Sequence, residues 1–323
     1  MPLKKKIVVG LLALPIVVGG AAFGRFYVAA PKARVAEDLE APSDSATVER
    51  GRYLANHVYA CMACHSEVRE DVPGEPLVDG RLGSGRAFPP DAYGAGTLRA
   101  PNLTPAHLGD WTDGEIVRAI REGVDKDGEP LFPMMPYATY GRVMPKADAL
   151  AIVAYLRTLP PIDHDPGRSE IAFPVSMFVR TVPAPVEREP EPPPAEGLER
   201  GRFLLEAMSC GDCHHTVDER RQPVEGMAFA GGVKFPTAVG MLQTPNITSH
   251  ESTGLGQSSP EEIARAVFEG KARDGRDLYI MPWRWYAGLS EADRKALVAA
   301  VREILAVDHE VARIAPTAPP PGG

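Results

Sequence analysis

No cysteine in this chain is left over for a disulfide. The 323 residues include four cysteines, and all four fall in two copies of one five-residue string, CMACH at Cys61 to His65 and CGDCH at Cys210 to His214. Basic charge is also short, with 35 Lys and Arg against 43 Asp and Glu. Binding nucleic acid needs clustered cations to displace counterions, so no nucleic acid partner is expected. Neither motif sits in a strand-helix-strand pattern, which argues against a thioredoxin-like redox pair. Zinc-ribbon spacing is absent too, because the cysteine pairs lie about 150 residues apart and each runs straight into histidine.

What the chain does have is the attachment signature of c-type haem. In Cys-x-x-Cys-His two thioethers hold the porphyrin edge and the adjacent histidine becomes an axial ligand of the iron. Two copies predict two covalently attached haem c groups, one on Cys61 and Cys64 with His65, the other on Cys210 and Cys213 with His214.

The N-terminus agrees with a site of attachment outside the cytoplasm. Lys4, Lys5 and Lys6 precede seventeen uncharged residues, Ile7 to Phe23, the basic head and apolar body of an export signal. Residues 1–30 are read as a signal peptide or a retained membrane anchor. Val28-Ala29-Ala30 would serve a peptidase, yet Arg25 interrupts that approach. As a helix the run spans about 26 Å against a hydrocarbon layer of about 30 Å, and Phe26 and Tyr27 stand where an interfacial aromatic belt would sit. The retained anchor is preferred. Without residues 1–30 the count is 31 basic against 43 acidic residues, which suits a basic docking partner or simply solubility.

The rest of the chain is written twice, at an interval of about 145 residues. ERGRYLANHVYACMACH at Glu49 to His65 answers ERGRFLLEAMSCGDCH at Glu199 to His214, with one residue of difference in length. APNLTP at 100–105 answers TPNITS at 244–249, and IVRAIREGVDKDGEPLFPMMPY answers IARAVFEGKARDGRDLYIMPW. Each unit reads as helix, haem motif, long loop, helix, methionine loop, helix. Tyr53, Leu54 and Val58 are expected to share a face toward the haem, as are Phe203, Leu204 and Met208. Thr112 and Ser259 are expected N-caps with Glu115 and Glu262 in capping-box positions, and Gly123 and Gly270 are expected stops. The resulting divisions are a unit at 45–160, a proline-rich linker at 161–196, a second unit at 197–309 and a proline-rich tail at 310–323. Within the linker the apolar stretch Ile171 to Val182 is expected to pack across the two units, or else to meet a partner or a membrane.

Each haem needs a sixth ligand, and methionine candidates stand at the same place in both repeats. Met281 is alone in DLYIMPWRWY, whereas PLFPMMPYATY offers Met134 and Met135. The Met-Pro-aromatic string pairs Met281 with Met135, and counting from the preceding Asp-Gly pair selects Met134. Met135 is taken as the ligand with Met281. The Nδ1 atoms of His65 and His214 should donate to backbone carbonyls. The Pro101-Asn102 and Pro245-Asn246 loops are candidates to buttress the haem or its propionates, with turn chemistry as the alternative. Tyr137, Tyr140, Trp283, Trp285 and Tyr286 are candidate walls. His57, His107, His164, His215, His250 and His309 show no recurrence in register and read as surface or loop residues.

The GRYL string before CxxCH, PNLTP and PNIT, the Asp-Gly stretch leading to MPY or MPW, and the Phe173-Pro174 segment together resemble the membrane-bound cytochrome c subunits of bacterial periplasmic alcohol, gluconate, sugar and aldehyde dehydrogenases. The likeness runs from about Glu49 to Leu305. The best-known members of that family carry three haem motifs where this chain carries two. Tyr155 is the aromatic typical of the last helix, and Ala300 stands at its place in the second unit. The resemblance implies an all-α fold of two tandem class I cytochrome c domains with long loops, preceded by a signal or anchor helix, and His/Met-ligated haems. It implies electron transfer from a periplasmic dehydrogenase or other donor to a terminal oxidase, quinone or soluble cytochrome, on the periplasmic side of the cytoplasmic membrane. The competing reading is a haem enzyme, a dihaem peroxidase or thiosulfate-type dehydrogenase, in which one axial position must be open or displaceable.

Overall fold

Glycine lets the outer helices of each repeat close on one another. A computed structural model of the chain describes residues 30–89, 94–219 and 221–314, together with Gly20 and Gly24. The signal or anchor reading of 1–30 and most of the tail reading therefore lie outside the described residues. In the first repeat α1 (Ser45–Tyr53) is followed by α2 (Cys61–His65), α3 (Pro105–Leu108), α4 (Asp113–Glu122), α5 (Tyr137–Val143) and α6 (Lys146–Arg157). A short α7 (Val175–Val179) lies in the connection, and the second repeat brings α8 (Gly197–Ala207), α9 (Cys210–His214), α10 (Pro260–Glu269), α11 (Trp283–Tyr286) and α12 (Glu291–Arg302). A Cβ at Gly51 would fall 1.8 Å from the Ala151 carbonyl oxygen, and one at Gly201 would fall 2.0 Å from that of Ala296. So α1 crosses α6, and α8 crosses α12, at backbone contact. Matched ion pairs clamp the same crossings, Arg50 Nε to Asp148 at 2.9 Å and Arg200 Nε to Asp293 at 2.8 Å.

The structure is mostly helical, and the expected all-α reading needs one addition. Among the described residues the loops carry three small antiparallel ladders, with β1 (Arg86–Ala87) on β3 (Arg99–Ala100), β2 (Gly96–Thr97) on β4 (Glu170–Ile171), and β5 (Lys234–Thr237) on β6 (Gly240–Gln243). Among the described residues no helix is long and apolar enough to cross a membrane.

Helix punctuation follows the sequence. Thr112 and Ser259 each form a complete capping box with Glu115 and Glu262, and Gly123 and Gly270 end α4 and α10 in the left-handed region. The one-residue length difference between the repeats also has a location. Residues Leu54–Val58 form a π-helical turn, in which the Tyr59 N–H bonds to the Leu54 carbonyl, whereas the Met208 N–H bonds to Leu204, four residues back. The extra residue is absorbed as a bulge of the helix.

Leu54, Val58, Leu204 and Met208 are buried in one core that spans both repeats, and Tyr53 and Phe203 pack against it, partly buried. Two expectations about the linker fare differently. The proline-rich part runs as an irregular strap pinned by Glu189 to Arg121 and by the Val186 N–H to Glu122. The apolar stretch does not pack across the repeats, since Phe173 is 76% exposed and Phe178 59%, and only Val179 and Arg180 within 171–182 are buried.

Candidate cofactor-attachment sites

Each Cys-x-x-Cys-His string forms a single helical turn begun by a left-handed residue, Ala60 at φ 45° and Ser209 at φ 53°. The cysteines and the histidine therefore stand at i, i+3 and i+4, on one face. None of the four thiols is paired in a disulfide. Burial pushes the thiols of Cys61, Cys210 and Cys213 up to about 12 and raises that of Cys64. Cys64 and Cys213 are nonetheless exposed.

The histidines are oriented from behind. His65 Nδ1 lies 2.8 Å from the Pro101 carbonyl oxygen and His214 Nδ1 lies 3.1 Å from that of Pro245. A carbonyl only accepts, so Nδ1 carries the proton in each ring and Nε2 keeps its lone pair. Burial lowers both imidazole pKa values, with the carbonyls opposing it in part. The neutral ring is the form that can bind iron.

Two glycines bring those carbonyls into range. The N–H of Gly85 donates to the His65 carbonyl and that of Gly231 to the His214 carbonyl, both at 2.8 Å. Gly85 has φ 80° and Gly231 φ 76°. A Cβ at Gly231 would lie 2.4 Å from the Pro245 carbonyl, and one at Gly85 would lie 2.7 Å from the Ala100 oxygen. Sequence reasoning missed this pair, although both glycines stand in the loop between haem motif and Pro-Asn.

Asn102 and Asn246 lock the next stretch of chain. Asn102 Nδ2 donates to the carbonyls of Ile162 and His164 at 2.8 and 2.9 Å, and its Oδ1 accepts from the Thr104 N–H at 2.8 Å. Asn246 repeats this with Val307 and His309 at 2.9 and 3.2 Å, and with the Thr248 N–H at 2.9 Å. His164 and His309 therefore do recur in register, correcting the expectation that they do not. The signal was IDHD at 162–165 against VDHE at 307–310, which is visible once the conserved role of the backbone rather than of the ring is considered.

In the methionine loops, the Tyr137 N–H donates to the Met135 carbonyl and the Trp283 N–H to the Met281 carbonyl, both at 2.8 Å. Leu131 and Leu278 bond alike to Gly123 and Gly270. The extra residue of the first loop thus falls between Leu131 and Met135. Met135 and Met281 are half-buried against the main core, as are Cys61 and Cys210, whereas Met134 packs in a separate cluster with Phe88, Leu98 and Ala100.

Of the five aromatic wall candidates, Tyr140 and Tyr286 are buried within electrostatic reach of the motif cysteines, and Tyr137 and Trp283 brace Gly123 and Gly270. Trp285 presents its carbonyl to His57 Nδ1 at 2.8 Å. Among the described residues no three His, Cys, Asp or Glu side chains gather in a group that could hold a metal ion. Paired thiols, a free imidazole Nε2 and a thioether from another loop are the donor set of haem c, and the residues fit that group.

The Cys213 thiol is raised by burial, by Asp212 and then by Cys64 of the other repeat, and Tyr286 is raised by burial and then by Cys210, Cys213 and Cys64. Contacts between the repeats run through Gly74 N–H to the Tyr279 carbonyl at 2.8 Å, Arg284 to the Pro73 carbonyl at 3.2 Å, and Arg142 to Glu206 at 2.9 Å.

No family model matches this chain. The chain is 27% identical over 257 residues to the fructose dehydrogenase cytochrome subunit of Gluconobacter japonicus, covering 76% of this chain and 49% of that protein. It is 30% identical over 246 residues to the gluconate 2-dehydrogenase cytochrome c subunit of Pantoea cypripedii, covering 71% and 52%. A diheme cytochrome c-type protein of Cereibacter sphaeroides is 27% identical over 262 residues, covering 77% of this chain and 83% of the relative. The resemblance read from the motifs to cytochrome c subunits of dehydrogenases therefore holds, and the chain spans about half the length of the dehydrogenase subunits it matches.

Proposed function

We propose that this chain is a dihaem c-type cytochrome of two tandem units, 45–160 and 197–309, that carries electrons from a dehydrogenase toward a respiratory acceptor on the periplasmic side of the membrane. Cys61 and Cys64 would hold one haem, with His65 and Met135 as axial ligands. Cys210 and Cys213 would hold the other, with His214 and Met281. When bound, each haem supplies a one-electron redox centre whose potential follows its axial ligands and surroundings.

The observation that carries this reading is the duplication of both axial supports. The proline carbonyl behind each histidine and the paired loops around Met135 and Met281 are built by the same backbone bonds. A ring held at Nδ1 keeps its orientation and its basicity through a change of iron charge. A thioether is a weak ligand, and a loop stiffened by the following proline keeps it in place. Two such loops leave neither site built for an open position, which favours the carrier over the peroxidase or thiosulfate-type enzyme. The relatives' names supply the donor class, a dehydrogenase, and the uncharged run after Lys6 supplies the attachment to the membrane.

The test is the spectrum of the purified holoprotein, oxidised and reduced, beside Met135→Ala and Met281→Ala. Two low-spin haems with the near-infrared band of methionine ligation, each variant losing one half of that band, are expected. A high-spin haem in the unmutated protein, or ready binding of cyanide or peroxide, would overturn the carrier reading.

A further inference from the structure

The segment around α7 gathers several exposed large apolar side chains in one short stretch. Phe173 and Phe178 are exposed, as is Val182 at 39%. Three apolar side chains turned to water within ten residues form a patch that calls for a second surface.

The position of Ala30 identifies that surface. Arg180, two residues after Phe178, donates from Nε and Nη2 to the Ala30 carbonyl at 3.1 and 2.8 Å and from Nη1 to Glu129 at 2.7 Å. The residues that follow are lashed along α4 and α6. Arg34 pairs with Glu122, Glu37 with Lys146 and the Ala41 N–H with Asp113. The point at which residue 30 joins the body is therefore held beside α7 by the body itself. Upstream, Tyr27 stands three residues before Ala30, and the apolar run Ile7 to Phe23 ends seven before it. Seven residue steps from Phe23 to Ala30 reach at most about 25 Å even when extended.

We propose that the α7 segment is a membrane-contacting face, with Phe173, Phe178 and Val182 resting in the interfacial layer of the bilayer that residues 7–23 enter. The inference rests on the anchor part of the reading above. Aromatic rings suit the boundary between headgroups and acyl chains, and exposed Lys32 beside Ala30 suits anionic headgroups. Contact at two places holds the body that carries the two Cys-x-x-Cys-His motifs at one orientation to the membrane, where a single tether would leave it to rotate.

Because every native cysteine lies in a haem motif, Phe178→Cys gives the holoprotein a single reactive thiol for a nitroxide label, and Phe173→Cys repeats the reading should the first variant fail to fold. The labelled full chain is reconstituted into vesicles of phosphatidylethanolamine and phosphatidylglycerol, floated on a density gradient and compared with Leu305→Cys, whose site is 85% exposed. At 178 a shift toward oxygen collisions and away from those of a water-soluble nickel chelate is expected, with the reverse balance at 305. A label at 178 that stays as wet as 305 in protein that floats overturns the membrane face and leaves the anchor standing. Loss of both kinds of collision assigns the face to a protein, such as a second copy of the chain, and also overturns it. Protein that does not float overturns anchor and face together.

Discussion

Tyr53 and Asp293, 240 residues apart in sequence, are joined by a hydrogen bond of 2.6 Å from the Tyr53 hydroxyl to Oδ2. Asp293 already receives Arg200, and the Tyr53 oxygen in turn accepts the Ser290 N–H at 3.1 Å. Burial disfavours the charged form of Asp293, but Arg200 and Tyr53 outweigh it and hold the carboxyl below its ordinary range. One phenol thus ties the first helix of one repeat to the last helix of the other.

Removing that hydroxyl tests its weight. Tyr53→Phe is expected to cost about 1.5 to 2 kcal/mol, as a hydrogen bond to a charged group does, measured by urea denaturation of the holoprotein. The repeat places Phe203 where Tyr53 stands, Pro145 where Ser290 stands and Asp148 where Asp293 stands. Proline has no N–H to offer a phenol, and Asp148 Oδ2 is buried without a partner. Phe203→Tyr is therefore expected to gain about 1 kcal/mol, and a loss instead would show that the two faces are not equivalent.

The Met281 loop is held from outside its own repeat. Trp283 sits against Gly270 and against Gly74, where a Cβ would lie 2.3 Å from the indole nitrogen, and Arg284 stacks 4.3 Å from that ring while reaching the Pro73 carbonyl. Gly74 has φ 70°. Gly74→Val is expected to weaken methionine ligation at the second haem only, halving the near-infrared band, with a fall in stability of about 1 to 3 kcal/mol from backbone strain. An undiminished band would mean that the loop is rigid by itself.

Asn246→Ala leaves the carbonyls of Val307 and His309 without their donor and the Thr248 N–H without its acceptor. A loss of about 2 to 3 kcal/mol is expected, the usual penalty for stranded buried polar groups, and Asn102→Ala should match it. Melting curves of the two holoproteins check both, and unequal losses would break the equivalence of the two locks.

His57 predicts how the contact between repeats responds to acid. Burial lowers its pKa, Arg52 adds to that, and the Trp285 carbonyl and Glu49 oppose it. A histidine whose folded pKa is depressed binds its proton more readily when unfolded, so stability is complete above the ordinary value of about 6.5 and declines as the pH falls through it. His57→Asn keeps a donor for Trp285 without the titration, and its urea midpoint should depend less on pH over that window. Equal slopes for the two proteins would remove His57 from the account.

Much of this chain was written locally. The haem motifs, the capping boxes at Thr112 and Ser259, and the glycine stops at Gly123 and Gly270 depend on residues within a few positions of one another, where side-chain chemistry and backbone preference suffice. The duplication then placed each of them twice. The sequence favoured Met135 over Met134 as the counterpart of Met281 on the Met-Pro-aromatic string, although a second rule of counting disagreed. The backbone bond from Tyr137 to Met135 answered that question of alignment by locating the inserted residue.

Tertiary structure alone decided which atoms serve whom across distance. No local pattern shows that the carbonyl of Pro101, rather than its ring, stands behind His65, that one extra residue winds a π-turn at Leu54, or that the Tyr53 hydroxyl reaches Asp293 of the other repeat. The exposure of Phe178 belongs to the same class. An apolar run states that burial is favourable, and only the folded surface shows whether the chain itself has room to cover it.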